Sequence, residues 1–350
     1  MSYSAHVDEL NNLHMFYDCA HTPQKSGEVL GDISSFLYQK YIPTTWNVIY
    51  SKKMDTIAVG SNVNYLIDSN SHSLLSSRMV FKVPPIKVKE EFNDKIKIAW
   101  THNLGHNRIL DAEFICDGII YTRFDNVWLD FESQFFQDGG AGKRKSRQNG
   151  IGNIPALEEF SNKLPEFTLD VWQPWFYSMH SFSAFPIFFR NSQSRIVHKY
   201  TLQDKIGNLL RMKKYNEKKK KWIDEKTSEW NDHLKDYLEL DSETLEVPEL
   251  WGRYAMVTEQ ELNRRKSCFK IDKEGKYKDE VLFIRDVIAC DDINPSKFGS
   301  YSSIDLTTSN PCLAIFWSAE NNTAKSYNYH SNYTTEAGDS KIGYDPIKST

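Results

Sequence analysis

The clearest alternation of apolar and polar residues in the chain lies between residues 96 and 136. Ile96, Ile98 and Trp100 alternate with lysines, and a period of two is typical of a half-buried β-strand. A second alternating run at 110–116 places apolar side chains on one face and carboxylates on the other. Two strands are therefore predicted, both with their apolar side chains turned to a core.

A hairpin and a short helix are predicted after the second run. Asp117-Gly118 favours a type I′ turn, because both residues tolerate the positive φ that this turn requires. On the returning strand, Tyr121 is expected opposite Phe114 as an aromatic cross-strand pair. The period then changes to three and four after Asp125, whose side chain suits an N-cap, so a helix is expected to start there.

Further strand patterns precede this stretch. Runs rich in apolar and β-branched residues occur at 46–50, 56–59, 63–67 and 79–83, and turn-forming residues separate them. Strands of this length and spacing are typical of a sandwich or barrel rather than of βαβ units. The sequence therefore predicts an all-β fold.

Residues 138–152 contain five glycines and four basic residues in fifteen positions. Gly142-Lys143 lacks both the preceding Gly and the following Ser or Thr of a phosphate-binding loop. We therefore interpret the segment as a surface loop with a basic cluster.

Residues 201–248 mark a change of composition to alternating Lys and Glu. Trp222, Trp230, Leu234 and Leu238 stand at multiples of four, which predicts a charged, largely helical insertion with one apolar face. The run Lys218–Lys221 would alternatively serve as a nucleic-acid arm, but interleaved acidic residues favour a solvated helix face.

An aromatic run extends from Phe167 to Phe189 and contains nine rings. Rings are enriched both in β-sandwich cores and at protein interfaces. We interpret the run as core and subunit contact, and we keep a carbohydrate-binding platform as the alternative.

Composition narrows the class of protein. The chain has 350 residues and a net charge of -4, so there is no electrostatic case for a nucleic-acid binder, and 13% aromatic residues suit a core built from large rings. No window approaches the roughly 18 consecutive apolar residues of a membrane span. The first residues lack a signal-peptide pattern. We expect a soluble protein made in the cytosol.

The cysteines give no sign of metal or redox chemistry. There are five of them, an odd number, and no CxxC pair occurs. Neither a zinc knuckle nor a redox motif is supported. Buried thiols in a reducing compartment are expected at Cys19, Cys116, Cys268, Cys290 and Cys312.

Two polar pairs are candidates for a chemical site. His102 and His106 flank a glycine, but no third ligand stands nearby, so a metal site is not predicted. Asp111 and Glu113 share a strand face and would form the acid/base pair of a sandwich hydrolase. Carboxylates on the outer side of an antiparallel strand are ordinary, so we expect no catalytic site, no cofactor and no metal.

Three separated blocks of residues resemble the major capsid proteins of the nucleocytoplasmic large DNA viruses. The first block lies in the alternating stretch and the second in the aromatic run. The third block begins with the pattern of an aromatic strand, and acidic and basic residues follow it. The residues that carry the resemblance are Ala99-Trp100, Leu104-Gly105-His106, Glu113, Gly118, Arg123, Trp128-Leu129, Pro174-Trp175-Phe176, Ala184-Phe185-Pro186, Leu250–Val257, Glu259, Glu261, Arg264 and Arg265.

The resemblance implies two jelly-roll β-sandwiches in tandem. We expect a segment of open role at 1–44, a first jelly roll at 45–200, the charged helical insertion at 201–248 and a partial second jelly roll at 249–350. Only about five strand patterns follow Trp251, whereas a jelly roll needs eight. Either the second barrel is abbreviated, or the chain is a fragment or paralogue of a longer protein.

The resemblance also implies a structural role without enzymatic activity. In this family, three chains form a pseudo-hexagonal capsomer that tiles an icosahedral shell. The expected partners are two further copies, neighbouring capsomers, minor capsid proteins and an inner viral membrane, with no direct nucleic-acid binding. The expected location is the virion capsid, assembled in the host cytoplasm. Candidate subunit-interface or core aromatics are Trp128, Trp172, Trp175 and Phe176.

Overall fold

The structure, a computed structural model, is built mostly of β-strands, which confirms the predicted all-β class. The N-terminal segment 1–44 and four of the five cysteines lie outside the residues that the structure describes. The described residues are 48–59, 62–136, 141–178, 184–189, 195–260, 262–263, 284, 286–288, 314–318 and 322–333.

Sheet 1 is antiparallel and contains five strands. Its fifth strand is only two residues long. In the order in which they pair, its strands are β1 (Val48–Lys53), β16 (Glu249–Met256), β4 (Ser73–Val83) and β10 (Phe167–Gln173), with β11 (Phe185–Pro186) beside β4.

Sheet 2 is also antiparallel and five-stranded. It faces sheet 1 across a core of large apolar side chains. In pairing order its strands are β2 (Asp55–Val59), β3 (Asn62–Leu66), β12 (Ile196–Leu202), β7 (Ile109–Cys116) and β8 (Ile119–Phe124).

The eight main strands follow jelly-roll connectivity. In chain order they are β1, β3, β4, β7, β8, β10, β12 and β16. The first pairs with the eighth, the second with the seventh, the third with the sixth and the fourth with the fifth. This nested pairing over two facing sheets is the jelly roll, with β2 added at one edge of sheet 2.

The jelly roll extends further along the chain than predicted. Strand β16, placed by the sequence at the start of a second barrel, lies between β1 and β4 in sheet 1. The boundaries at 200 and 249 are therefore wrong, because a long insertion separates the eighth strand from the seventh and makes it look like a new domain. Most of the remaining residues, 257–350, lie outside the described ranges, so the second jelly roll stays a prediction.

Two small antiparallel sheets flank the sandwich. Sheet 3 joins a strand before the sandwich's β7 to a hairpin from the insertion, and sheet 4 joins three very short strands. Sheet 3 contains β6 (Ile96–Trp100), β13 (Leu210–Asn216) and β14 (Lys221–Asp224), and sheet 4 contains β5 (Ile86–Val88), β9 (Lys163–Leu164) and β15 (Leu238–Glu239).

Helices are short throughout the described residues, and none of them is long and apolar enough to cross a membrane. Single 3₁₀ turns occur at Glu90–Phe92, Ile187–Phe189, Ile206–Asn208 and Asn231–His233. The α-helices are α1 (Leu104–Asn107), α2 (Asn126–Phe135), α3 (Ala141–Gly150), α4 (Pro155–Glu158), α5 (Thr227–Trp230), α6 (Leu234–Tyr237) and α7 (Asn322–Lys325).

The predicted helical insertion is wrong in its secondary structure. Residues 201–248 contain the β13–β14 hairpin, the short strand β15, two single-turn α-helices and two 3₁₀ turns. The four-residue spacing does not mark one helix, because Trp222 lies on β14, where its ring stacks under Lys97 Nζ at 4.7 Å, and Leu238 lies on β15. Strand β13 forms because Leu210 and Met212 are buried where it pairs with β6.

The predicted loop at 138–152 is also wrong, because most of it is helix α3. The helix packs against β10 so closely that a Cβ on Gly150 would lie 2.7 Å from the Asp170 carbonyl oxygen. Gly152 then has a φ of +99°, a positive value that ends the helical conformation of the backbone. A polar helix with few apolar residues gives no periodic signal, which explains the error.

The predicted hairpin is confirmed except for its register. Asp117 and Gly118 have φ values of +51° and +83°, as a type I′ turn requires. A bulge at Tyr121 shifts the pairing, so Phe114 lies opposite Thr122. The rings of Phe114 and Tyr121 still meet edge to face, with centroids 6.5 Å apart.

A second bulge corrects one predicted core position. Leu110 has no partner between the pairs Ile109–Leu202 and Asp111–Thr201. The extra residue turns Leu110 out of the sandwich, and its side chain is exposed rather than buried. The N-cap prediction is confirmed, since the Asp125 side chain accepts a 2.8 Å hydrogen bond from the Trp128 backbone N–H.

Candidate assembly surface and its supports

Two of the four candidate aromatics lie in the core of this chain. Trp175 and Phe176 are almost fully buried between the two sheets. Both rings contact Phe114, with centroids 6.0 and 5.5 Å away. Neither ring is available to a second subunit, so their role is to pack the sheets together.

The other two candidates are only half buried. Trp172 lies on the outer side of β10 and carries the Arg147 guanidinium over its ring at 4.6 Å. Trp128 on α2 packs against Phe136 and Phe316, with centroids 5.8 and 5.5 Å away. Both rings are therefore covered in part by this chain's own residues.

The aromatic run does not form an open platform. Trp175, Phe176, Tyr177 and Phe185 all face the interior of the sandwich. A carbohydrate platform needs rings whose faces reach solvent, and burial removes these four from that role. The described part of the run therefore gives no geometric support to the alternative of a carbohydrate-binding module.

A buried phenol joins the two sheets. Tyr177 Oη lies 3.1 Å from Ser77 Oγ on β4 and 2.6 Å from His198 Nε2 on β12. Burial lowers the pKa of His198 to about 3, so the imidazole is neutral. This polar bridge fixes the register of one sheet against the other inside an otherwise apolar core.

The carboxylates considered for acid/base chemistry are held in ion pairs. Asp111 Oδ1 accepts from Arg123 Nε at 2.6 Å, and Glu113 Oε2 accepts from Lys199 Nζ at 2.9 Å. Each carboxylate is thus neutralised by a cation on a neighbouring strand. The arrangement neutralises charge on the sheet and does not assemble a reactive pair.

The two histidines lie in separate networks and do not converge on one point. His102 Nδ1 donates to Glu158 Oε1 at 2.8 Å, whereas His106 Nδ1 donates to Asp130 Oδ1 at 2.7 Å. Within the described ranges, no group of three or more His, Cys, Asp or Glu residues is arranged to hold a metal ion. The residues present therefore build hydrogen-bond networks.

A short C-terminal segment, Asn322–Tyr333, docks on the jelly roll, and we name it the clip. Asn328 Nδ2 donates to the carbonyl oxygens of Gly207 and Leu210, both at 2.6 Å. Thr101 Oγ1 donates to the Asn328 carbonyl oxygen at 2.7 Å. One buried asparagine thus links the clip to the insertion and to the end of β6.

The far end of the clip reaches helix α2. Tyr333 Oη donates to Asp130 Oδ2 at 2.9 Å, while the other oxygen of Asp130 binds Asn103 and His106. Asn107 Nδ2 also donates to Ser331 Oγ at 2.9 Å. Residues more than two hundred positions apart are therefore fastened together, and the periodic pattern of the sequence contained no signal for this contact.

Two buried arginines support the same region. Arg211 donates to the carbonyl oxygens of Trp100 and Glu158 at 2.8 and 2.9 Å, and burial lowers its pKa. Arg108 lies over the Phe81 ring at 4.4 Å, and burial lowers its pKa to about 10. Arg211 thus holds two backbone carbonyls in place, and Arg108 Nη2 donates to the carbonyl oxygen of Glu246.

The outer face of sheet 2 carries an apolar row that the sequence analysis missed. The row consists of Leu66, Val197, Ile115 and Ile120, which are consecutive partners across β3, β12, β7 and β8. The side chain of Ile120 is 52% exposed, and the other three are partly exposed. The register that aligns the four residues is set by long-range pairing, so local alternation alone could not reveal the row.

No family model matches the chain. It is 28% identical over 128 residues to the major capsid protein of Tipula iridescent virus, a match that covers 35% of this chain and 27% of that protein. It is 31% identical over 118 residues to the major capsid protein of Lymphocystis disease virus 1, covering 32% and 25%. This chain is similar to viral major capsid proteins.

The predicted resemblance to the capsid proteins of large DNA viruses is thus confirmed. The chain is also 27% identical over 132 residues to probable capsid protein 4 of Acanthamoeba polyphaga mimivirus, with 37% of this chain and 25% of that protein covered. The chain spans about a quarter of the length of the curated relatives that it matches.

Solved capsid structures are similar as well. The major capsid protein of Faustovirus matches with a TM-score of 0.45 and 6% identity, covering 75% of this chain and 64% of that chain. A quasi-atomic model of the PBCV-1 virus capsid matches with a TM-score of 0.45 and 14% identity, covering 64% and 45%.

Proposed function

We propose that this chain is a structural capsid subunit of a large DNA virus. The observation that carries the proposal is the similarity to major capsid proteins of several such viruses. The nested eight-strand jelly roll agrees with it, because a rigid sandwich with a packed core is a building block and needs no ligand cleft.

The subunit is proposed to form a trimer. Three chains, each with two barrels, would give a capsomer with six similar corners that tiles an icosahedral shell. Contacts inside such a trimer belong to the obligate class of protein interfaces. Interfaces of this class bury roughly 2,000 Å² or more in total. The second barrel that this arrangement needs is proposed within 257–350.

The proposal includes the partners and the location that the resemblance implies. The partners are neighbouring capsomers, minor capsid proteins and the inner viral membrane beneath the shell. The location is the virion capsid, with assembly in the host cytoplasm. The net charge of -4 gives no electrostatic case for nucleic-acid binding, and Arg123 and Lys199 on sheet 2 are held in ion pairs.

The chain is proposed to have no enzymatic activity. The best placed carboxylates, Asp111 and Glu113, are occupied in ion pairs, and both histidines considered are bonded to carboxylates. A general acid or base needs a free proton-transfer position beside a substrate. The described residues place these groups in supporting networks instead.

Negative-stain electron microscopy of the purified chain tests the proposed capsomer. Three-fold symmetric particles with a hexagonal outline are expected in class averages. Single barrel-sized particles at every concentration would contradict the trimer. Chromatography of the same protein on a glycan resin serves as a control, because a carbohydrate-binding module would be retained whereas the capsomer is expected to flow through.

A further inference from the structure

The apolar row on sheet 2 faces away from the core. Its members alternate along the strands with Tyr65, His198 and Phe114, which are fully buried between the sheets. Residues directly opposite on neighbouring strands project from the same face. The row therefore forms a continuous apolar band across four strands on the outside of the jelly roll.

The charged residues beside the row cancel one another. The next positions along the strands hold Lys199 with Glu113, and Arg123 with Asp111, at 2.9 and 2.6 Å. Each of these two ion pairs is neutral, so together they add no net charge beside the row. A neutral apolar face can approach an identical face without like-charge repulsion, whereas it offers little to an anionic membrane or nucleic acid.

The two ends of the row differ in charge. On β2, exposed Asp55 lies opposite Leu66 at one end, and on β8 the Arg123 side chain, which is exposed although its Nε is paired with Asp111, stands near the other end. A two-fold axis parallel to the strands stacks row on row and places β2 of one copy over β8 of the other. Asp55 of each copy then approaches Arg123 of its neighbour, which favours this pairing.

We propose that the apolar row is the contact surface for a second copy of this chain that belongs to a neighbouring capsomer. The inference rests on the proposed capsid function and deepens it, because it assigns one face of the subunit to the contact between capsomers rather than to the contact inside one.

The size of the face supports that assignment. Five strands at about 4.8 Å spacing span about 19 Å, and five residues along a strand span about 17 Å. The footprint is thus roughly 300 Å² per copy, far below the roughly 800 Å² per partner of a stable pair. Such a contact is weak alone and is effective only when many copies act together, as they do in a shell.

The test compares Ile120→Arg with Val247→Arg by sedimentation velocity over a range of protein concentrations. Both wild-type residues are about half exposed, at 52% and 49%, but Val247 lies in the insertion and is not part of the row. An arginine at either exposed position buries no charge in the monomer. Circular dichroism of both variants confirms that they fold.

The expected result has two parts. The wild type and Val247→Arg form a basal species and, as concentration rises, larger assemblies. Ile120→Arg keeps the basal species but loses at least tenfold in the apparent association constant for the larger assemblies. Such a loss assigns the row to the contact between capsomers.

Four outcomes overturn the inference. If Ile120→Arg assembles like the wild type, the row is not the contact between capsomers. The proposed function still stands in that case, provided that the basal trimer is unchanged. If Ile120→Arg breaks the basal trimer, the row lies inside the capsomer. If the wild type never associates, both proposals fail together. If the wild type binds anionic phospholipid vesicles and Ile120→Arg does not, the partner of the row is a membrane.

A wild-type protein that forms no basal trimer but still associates weakly would separate the contact at the apolar row from the proposed trimer. If Ile120→Arg then abolishes that weak association, the copy-to-copy contact is supported and the trimeric capsomer is contradicted.

Discussion

Tyr177 Oη lies 2.6 Å from His198 Nε2 and joins the two sheets of the jelly roll at the centre of the core. The same oxygen is 3.1 Å from Ser77 Oγ, so one hydroxyl group serves polar atoms from both sheets. Removing a partner from a buried polar group costs more than the hydrogen bond itself, because the remaining group stays desolvated.

Tyr177→Phe is expected to lower the free energy of unfolding by about 1–3 kcal/mol, since it leaves Ser77 and His198 without this partner. Urea denaturation followed by fluorescence measures the change. The matched control is Tyr121→Phe, which removes a hydroxyl from a partly exposed ring and is expected to have little effect. Equal midpoints for Tyr177→Phe and the wild type would contradict the structural role of the bridge.

The buried imidazole predicts a pH dependence with a definite sign. The pKa of His198 is about 3 in the folded chain against an ordinary value of 6.5, because burial disfavours the charged form. Between these values the unfolded chain binds more protons, so stability rises with pH up to about 6.5 and is then flat. The slope from one group is at most about 1.4 kcal/mol per pH unit.

His198→Phe isolates this contribution, because every other titrating group is common to both proteins. The free energy of unfolding of the wild type minus that of the variant is expected to increase as pH rises from about 4 to 6.5. If this difference stays constant over the range, His198 does not have the lowered pKa of a buried, neutral imidazole.

The four candidate aromatics are expected to separate into two classes. Trp175→Ala should cost about 3–5 kcal/mol, because it empties a core site. Trp172→Ala should cost only about 1 kcal/mol, because it removes a half-buried ring under Arg147. Thermal unfolding measures both, and Trp175→Phe replaces the alanine variant if that variant does not fold. Equal losses at the two positions would contradict the burial that separates them.

The clip is expected to hold the insertion locally. Asn328→Ala removes both hydrogen bonds to the Gly207 and Leu210 carbonyls and places alanine at a φ of +61°, which favours asparagine. Hydrogen exchange of peptides covering 203–224 should accelerate by at least about tenfold, while peptides from β4 and β12 stay protected. Lys325→Ala, an exposed position in the same segment, is the control.

A uniform acceleration over the whole chain would show that the clip supports global stability rather than the insertion. No acceleration at 203–224 would show that the clip does not dock through Asn328.

Local chemistry explains what the sequence could predict. Asp117-Gly118 and Asp125 act through their own backbone neighbours, so the turn and the helix start could be predicted from single residues. The bulges at Leu110 and Tyr121 depend on pairing with other strands, and they changed which side chains face the core.

Long-range pairing explains what the sequence could not predict. Strand β16 enters sheet 1 between strands that precede it by more than 160 residues, so no local pattern assigns it to the first barrel. The clip meets the insertion and helix α2 through single hydrogen-bonding side chains such as Asn328 and Tyr333, which have no periodicity. The apolar row is aligned only once four strands are in register.

The capsid role is tested most directly by the molar mass of the purified chain in light scattering after size-exclusion chromatography, measured before and after about a hundredfold dilution. The account predicts about 122 kDa, three times the 40.8 kDa chain, at both concentrations. A mass of 40.8 kDa at both concentrations would contradict it.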